Sequence, residues 1–139
     1  MKKIILIVED LKEEQQKAKD AVTASGCSPV VAENLEDATR IFSQLKSNLF
    51  GVVTDLHYPS SHRFNKISSD KPNGLAMVAL CVESGVRVGV CSNVNHHYSE
   101  YLKIPIRVLM SHQSYSFSSI PFSEDNKDWE IVLKKLLTL

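Results

Sequence analysis

What this 139-residue chain lacks narrows its function early. No apolar run reaches the ~20 residues that a membrane-spanning helix needs. The opening MKKIILIVED has lysines followed by apolar residues, as a secretory signal would. Its apolar run stops at Val8, however, and acids follow with no small-residue cleavage site. It reads as a strand. Cysteine is scarce: Cys27, Cys81 and Cys91 are odd in number and far apart. They form no C-x-x-C pair and suggest no disulfide framework, so a reducing cytoplasm is the expected location. Net charge is missing as well, since 16 basic residues balance 16 acidic ones. That excludes the positive surplus on which non-specific nucleic-acid binding depends. No repeat and no long linker divides the chain, so residues 1–139 are expected to form one domain.

What is present alternates strand with helix. Ile4 to Val8 is a continuous β-branched and aliphatic run, the pattern of a strand buried on both faces. Leu11 to Ser25 is rich in helix formers and is stopped by Gly26. Pro29 to Ala32 predicts a second strand, at an edge because proline cannot donate to a ladder. Asn34 is placed to cap a helix carrying Ala38, Ile41, Phe42 and Leu45 at i, i+3, i+4, i+7. In the stretch Phe50 to Pro59, Val52, Val53 and Thr54 are a third, short strand buried on both faces. Residues 60–73 are polar and aperiodic, and predict a long surface loop. A helix over Gly74–Ser84 should turn Leu75, Val78, Ala79 and Val82 inward. Val86 to Cys91 is a fourth strand, His96 to Leu102 a short helix, and Ile106 to Met110 a fifth strand. Pro105 and Pro121 read as turn punctuation. A final helix starting near Ser123 to Asp125 should bury Trp129, Val132, Leu133 and Leu136. Five strands alternating with helices predict an α/β fold, a doubly wound (βα)5 parallel sheet of flavodoxin type with strand order 2-1-3-4-5.

That order brings Glu9 and Asp10, at the end of strand one, beside Asp55, at the end of strand three. By itself an Asp after a strand caps it or starts a turn. Beside two further acids it has another use. Carboxylates this close stay ionised together only with a cation among them, and oxygen ligands with room for water suit Mg²⁺. Asp55 could then be a nucleophile toward phosphorus, forming an acyl phosphate. Ser92, ending strand four, could donate to that phosphate, as could the backbone amide of Asn93.

With these residues in order, the chain resembles the receiver domain of two-component response regulators over nearly its whole length. ILIVED at Ile4 to Asp10 is similar to the family's first-strand acidic pair, which implies Asp10 as a direct metal ligand and Glu9 as a water-mediated one. DLHYP at Asp55 to Pro59 is similar to the phosphoacceptor motif, which makes His57 the residue whose backbone carbonyl completes the Mg²⁺ site. NGL at Asn73 to Leu75 resembles the glycine-containing start of the third helix. VCSN at Val90 to Asn93 resembles the fourth-strand Thr/Ser-Ala pair, with Ser92 as switch hydroxyl.

Three departures accompany the matches. The loop between Pro59 and Gly74 is longer than the family's. No Lys-Pro ends the fifth strand, where Met110, Ser111 and His112 stand; the only similar text is Ile120-Pro121-Phe122. No aromatic switch residue lies within IRVLM. Lys66, Lys71 or Arg63 on the long loop are candidates for the missing phosphate-binding cation. A rival site is offered by His57, His62, His96, His97 and His112, all in loops after strands, since histidine with carboxylates binds Zn²⁺ or another transition metal.

The resemblance implies a signalling protein and not an enzyme, phosphorylated on Asp55 by a histidine kinase or phosphotransferase. With the chain ending at Leu139 after its last helix, it would act by contact with a downstream protein, for instance across the helix over His96–Leu102 and the fifth strand. The alternative is a pseudo-receiver, a phosphate-independent interaction or scaffold module. A metal-dependent hydrolase is the third reading. His57 stands where dehalogenase-type phosphatases carry a second Asp.

Overall fold

The computed structural model describes residues 2–61, 72–92, 120–123 and 127–138. Strands β1 (Ile4–Val8), β2 (Ser28–Ala32), β3 (Leu49–Thr54), β4 (Arg87–Cys91) and β5 (Phe122–Ser123) make one sheet in the order β2-β1-β3-β4-β5. Every pairing is parallel. Val8 pairs with both Ala32 and Thr54, and Thr54 pairs with Val90, so the carboxyl ends of the inner strands finish level. Helices α1 (Lys12–Ala24), α2 (Leu35–Leu45), α3 (Gly74–Ser84) and α4 (Trp129–Leu137) cover the sheet.

Side-chain alternation along the strands sorts the core into two layers. Leu6, Val8, Val52, Val88 and Val90 face α2 and α3, meeting Ala38, Phe42, Met77, Val78 and Cys81. Ile5, Ile7, Val53 and Cys91 face α1 and α4, meeting Ala18, Val22, Trp129, Val132, Leu133 and Leu136. Each large aliphatic side chain so buried contributes roughly 1.5–3 kcal/mol. The second layer is tight because β3 and β4 omit side chains beneath α4. A Cβ at Gly89 would lie 2.5 Å from Val132 Cγ1, and one at Gly51 would lie 2.9 Å from Leu136 Cδ2.

The expected edge strand with Pro29, the Asn34 cap and the span of the third helix agree with the structure. The Asn34 side chain accepts from Asp37 N–H at 2.8 Å. Two expectations need correction. On α3 Val78 is buried and Leu75 and Val82 are half-buried against the core as expected, but Ala79 is exposed and Gly74, Met77 and Cys81 are buried as well. This helix is apolar nearly all round, so periodicity alone does not choose its inner face. The last helix starts at Trp129, with the Asp128 carboxylate accepting from Ile131 N–H at 3.1 Å, and not near Ser123–Asp125. Ser123, Asp125 and Asp128 are all good caps, and the one adjoining the apolar stripe is used. Beside β4, Phe122–Ser123 pairs with Val90–Cys91. Pro121 is more than punctuation, because its carbonyl accepts from Val90 N–H at 2.8 Å. The expected strand at Ile106–Met110, the helix over His96–Leu102 and Pro105 lie outside the described residues.

Candidate functional site

The site is built where the ladder runs one residue beyond β1 and β3. Glu9 N–H donates to the Ala32 carbonyl at 3.0 Å, and Asp55 N–H donates to the Val8 carbonyl at 2.9 Å. Both acids therefore start from backbone fixed by the sheet. One carboxylate oxygen from each of Glu9, Asp10 and Asp55 lies within 4.8 Å of the others. Glu9 is wholly buried, Asp55 is 5% exposed and Asp10 is half-buried. The sequence expectation for these three acids is met in their juxtaposition.

The cation among them was not anticipated. Lys127, just ahead of the α4 cap, reaches in with its Nζ 2.9 and 3.1 Å from the two Glu9 oxygens and 3.1 Å from Asp55 Oδ2. Its side chain is 9% exposed. Separated from Glu9 by 118 positions, it belongs to no motif in the sequence. The available signal was the charge balance itself, since buried carboxylates call for a cationic partner.

The other contacts orient the acids. Glu9 Oε1 also accepts from Leu11 N–H at 3.1 Å, and Gln15 Nε2 donates to the Glu9 carbonyl at 2.8 Å. Asp55 Oδ1 accepts from Leu56 N–H at 2.7 Å. Thr54 Oγ1 lies 2.7 Å from the Asp55 carbonyl and 3.1 Å from the buried Tyr58 hydroxyl. Its single proton serves the carbonyl, so the Tyr58 hydroxyl donates to Thr54. Gly74 packs against the same turn: its N–H donates to the Leu56 carbonyl at 2.8 Å. A Cβ there would sit 2.2 Å from the Asp55 carbonyl oxygen, so no side chain fits. The segment after Asp55 is tied down on both sides. Leu35 N–H and Glu36 N–H donate to the Pro59 and Ser60 carbonyls, and Asn73 Nδ2 donates to the Tyr58 carbonyl and to Ser60 Oγ.

Electrostatics follow from burial and proximity. Burial first, then the neighbouring Asp55, pushes the Glu9 carboxyl up to about 8, against the opposing pull of Lys127 and Leu11 N–H. Burial also raises Asp10. For Lys127 burial would lower the pKa, but Asp55 and Glu9 outweigh it and hold the ammonium above its usual range. With all three carboxylates ionised, one ammonium would leave two negative charges uncompensated, the deficit a divalent cation fills. The donors are hard oxygens, and Asp10 keeps access to solvent. The set fits Mg²⁺ in chemistry and charge.

Ser92 is buried at the end of β4, following Cys91 on the same edge, and His57 is half-buried two residues past Asp55. Cys91 is packed in the core and its thiol is pushed up, chiefly by burial. Asn93, Arg63, Lys66 and Lys71 lie outside the described residues, as do His62, His96, His97, Met110, Ser111 and His112. Among the described residues the one cluster able to hold a metal contains carboxylates and no histidine.

No protein-family model matches the chain, and no curated protein matches it. Solved structures do. A response regulator receiver domain protein from Clostridium thermocellum superposes with a TM-score of 0.63 at 15% identity, covering 99% of each chain. A response regulator receiver protein from Pseudomonas putida gives 0.65 at 15% identity, covering 99% of this chain and 97% of its own. A response regulator from Thermotoga maritima gives 0.64 at 14% identity over 100% of both. The fold is that of response regulator receiver domains, with the acidic cluster at the carboxyl edge of its sheet.

Proposed function

We propose that this chain is a signalling receiver that takes a phosphoryl group on Asp55. The observation that carries the reading is the convergence of Glu9, Asp10 and Asp55 within 4.8 Å, completed by the Lys127 ammonium. In it, an Asp55 oxygen bonds to the phosphorus of a phosphohistidine or small phosphodonor as the donor's own bond to phosphorus breaks, leaving an acyl phosphate. Asp10, Asp55 and the His57 carbonyl, with Glu9 through water, would hold Mg²⁺, which neutralises phosphoryl charge when bound. Ser92 donates a hydrogen bond to a phosphoryl oxygen, and the Asn93 amide is placed by sequence to do the same. Lys127 takes the part first sought on Lys66 or Lys71, gripping the phosphoryl group from the start of α4. The donor is a histidine kinase or phosphotransferase, and the output is contact with a downstream protein.

Incubation with Mg²⁺ and acetyl phosphate tests this directly. An acid-stable, base-labile adduct one phosphoryl group heavier should form on the wild type and not on Asp55→Asn. Absence of the adduct from wild type overturns the reading.

Lys127 also favours a second reading, a phosphate-independent interaction module. A built-in ammonium partly neutralises the acids without any bound ion. Under that reading the protein takes up neither Mg²⁺ nor phosphate, yet still captures its partner.

A further inference from the structure

Lys127 does not hang from the end of β5. It precedes the Asp128 cap of α4, and two residues on, the Trp129 indole N–H donates to Glu14 Oε1 of α1 at 2.9 Å. Glu9 is bonded on one side to Lys127 and on the other to Leu11 N–H, which leads into α1. Gln15 of α1 holds the Glu9 carbonyl. The Glu9 carboxylate thus clasps the leads into α1 and α4 together, and Trp129–Glu14 fastens their first turns. We propose that a divalent cation at this site competes with the Lys127 ammonium for Glu9, and that its uptake is transmitted through the first turn of α4 to the Trp129–Glu14 contact with α1. The inference rests on the reading that the acidic cluster takes a divalent cation, and it names how that site is coupled to the rest of the fold.

Geometry supports competition. Both Glu9 oxygens and one Asp55 oxygen already face Nζ, so a cation drawing on those oxygens shares them with the ammonium. Two cations that close repel by several kcal/mol unless one withdraws, even in a screened interior of effective dielectric ~20. Lys127 is covalently continuous with the α4 cap, so its withdrawal acts on that turn. Coupling of this kind is reciprocal: whatever loosens Trp129 from Glu14 must also change cation affinity.

Trp129 is the sole tryptophan, so its emission reports this contact without labelling. Mg²⁺ is titrated into the full chain, with uptake measured by calorimetry and emission followed in parallel. Wild type should take up Mg²⁺ and shift its emission with the same midpoint. Lys127→Met should bind Mg²⁺ at least ~10-fold more tightly, having lost the competing charge. Its emission should no longer follow uptake. Glu14→Ala, which leaves the acids intact, should still take up Mg²⁺, at a shifted midpoint, while abolishing the emission change. Mg²⁺ uptake with constant wild-type emission, or with unchanged affinity in Lys127→Met, overturns the coupling and spares the metal site. No calorimetric uptake in wild type overturns both.

Discussion

At the scale of single residues, Glu9 is a buried acid whose titration falls in an accessible pH range. Its carboxyl has an ordinary value near 4.5 in the unfolded chain and about 8 in the folded one, from burial and then from Asp55. Between those values the native state holds a proton that the unfolded state has released. Linkage then requires stability to fall as pH rises through that window. In chelator, the thermal midpoint should decline steadily from about pH 5 to pH 8. Glu9→Gln should flatten the decline, and saturating Mg²⁺ should offset it in wild type; a wild-type midpoint that rises across the range refutes the assignment. Glu9, Asp10 and Asp55 were legible in the sequence because the Glu9–Asp10 pair and Asp55 each end a β-branched run, and strand order supplies their proximity. Lys127 was illegible. Nothing in DNKDWE marks one lysine as buried, and a contact spanning 118 positions leaves no local pattern.

At the scale of elements, the turn from β3 into the loop before α3 is held by the absence of a side chain at Gly74. The N-terminus of α3 approaches so closely that an added Cβ meets the Asp55 carbonyl oxygen at 2.2 Å and Leu56 Cα at 2.7 Å. Both are main-chain atoms beneath the site, so neither can rotate away. Gly74→Ala should therefore cost about 1–3 kcal/mol or more, the range for overpacking a rigid contact. Denaturant unfolding measures that loss. It should also lower the yield of Asp55 adduct at fixed acetyl phosphate, which a substitution at exposed Ala76 should not. Equal stability in Gly74→Ala would mean that α3 is free to pull back. The inner elements were legible because continuous apolar runs, caps and Gly stops agree with one another in β1, α2, β3 and β4. Agreement fails at the C-terminal side. Phe122–Ser123, which pairs with β4, is too short to show periodicity. Cap-forming residues at Ser123 and Asp125 likewise drew the expected start of α4 several residues too early.

At the scale of the whole molecule, the parallel sheet followed from alternation and right-handed crossovers, and the order 2-1-3-4-5 from its being the common one for five doubly wound strands. What alternation does not reveal is how far one helix ties the assembly together. α4 buries Trp129, Val132, Leu133 and Leu136 over β1, β3 and β4, against Ile5, Ile7, Val53 and Cys91. Those four side chains contribute on the order of 10 kcal/mol, comparable to the entire stability of a typical domain. The segment also delivers the ammonium that Glu9 and Asp55 face. A chain cut after Ser123 loses both contributions, and Mg²⁺ separates them. If ion balance were the larger, Mg²⁺ would restore a cooperative thermal transition by replacing the charge of Lys127. Apolar burial is the larger here, since no ion covers a bare sheet face. The truncated chain should show no cooperative transition with or without Mg²⁺, and should bind an apolar dye strongly. A sharp, Mg²⁺-dependent transition in that chain would reverse the ranking, making the acidic site and not the α4 face the chief link between the C-terminal segment and the sheet.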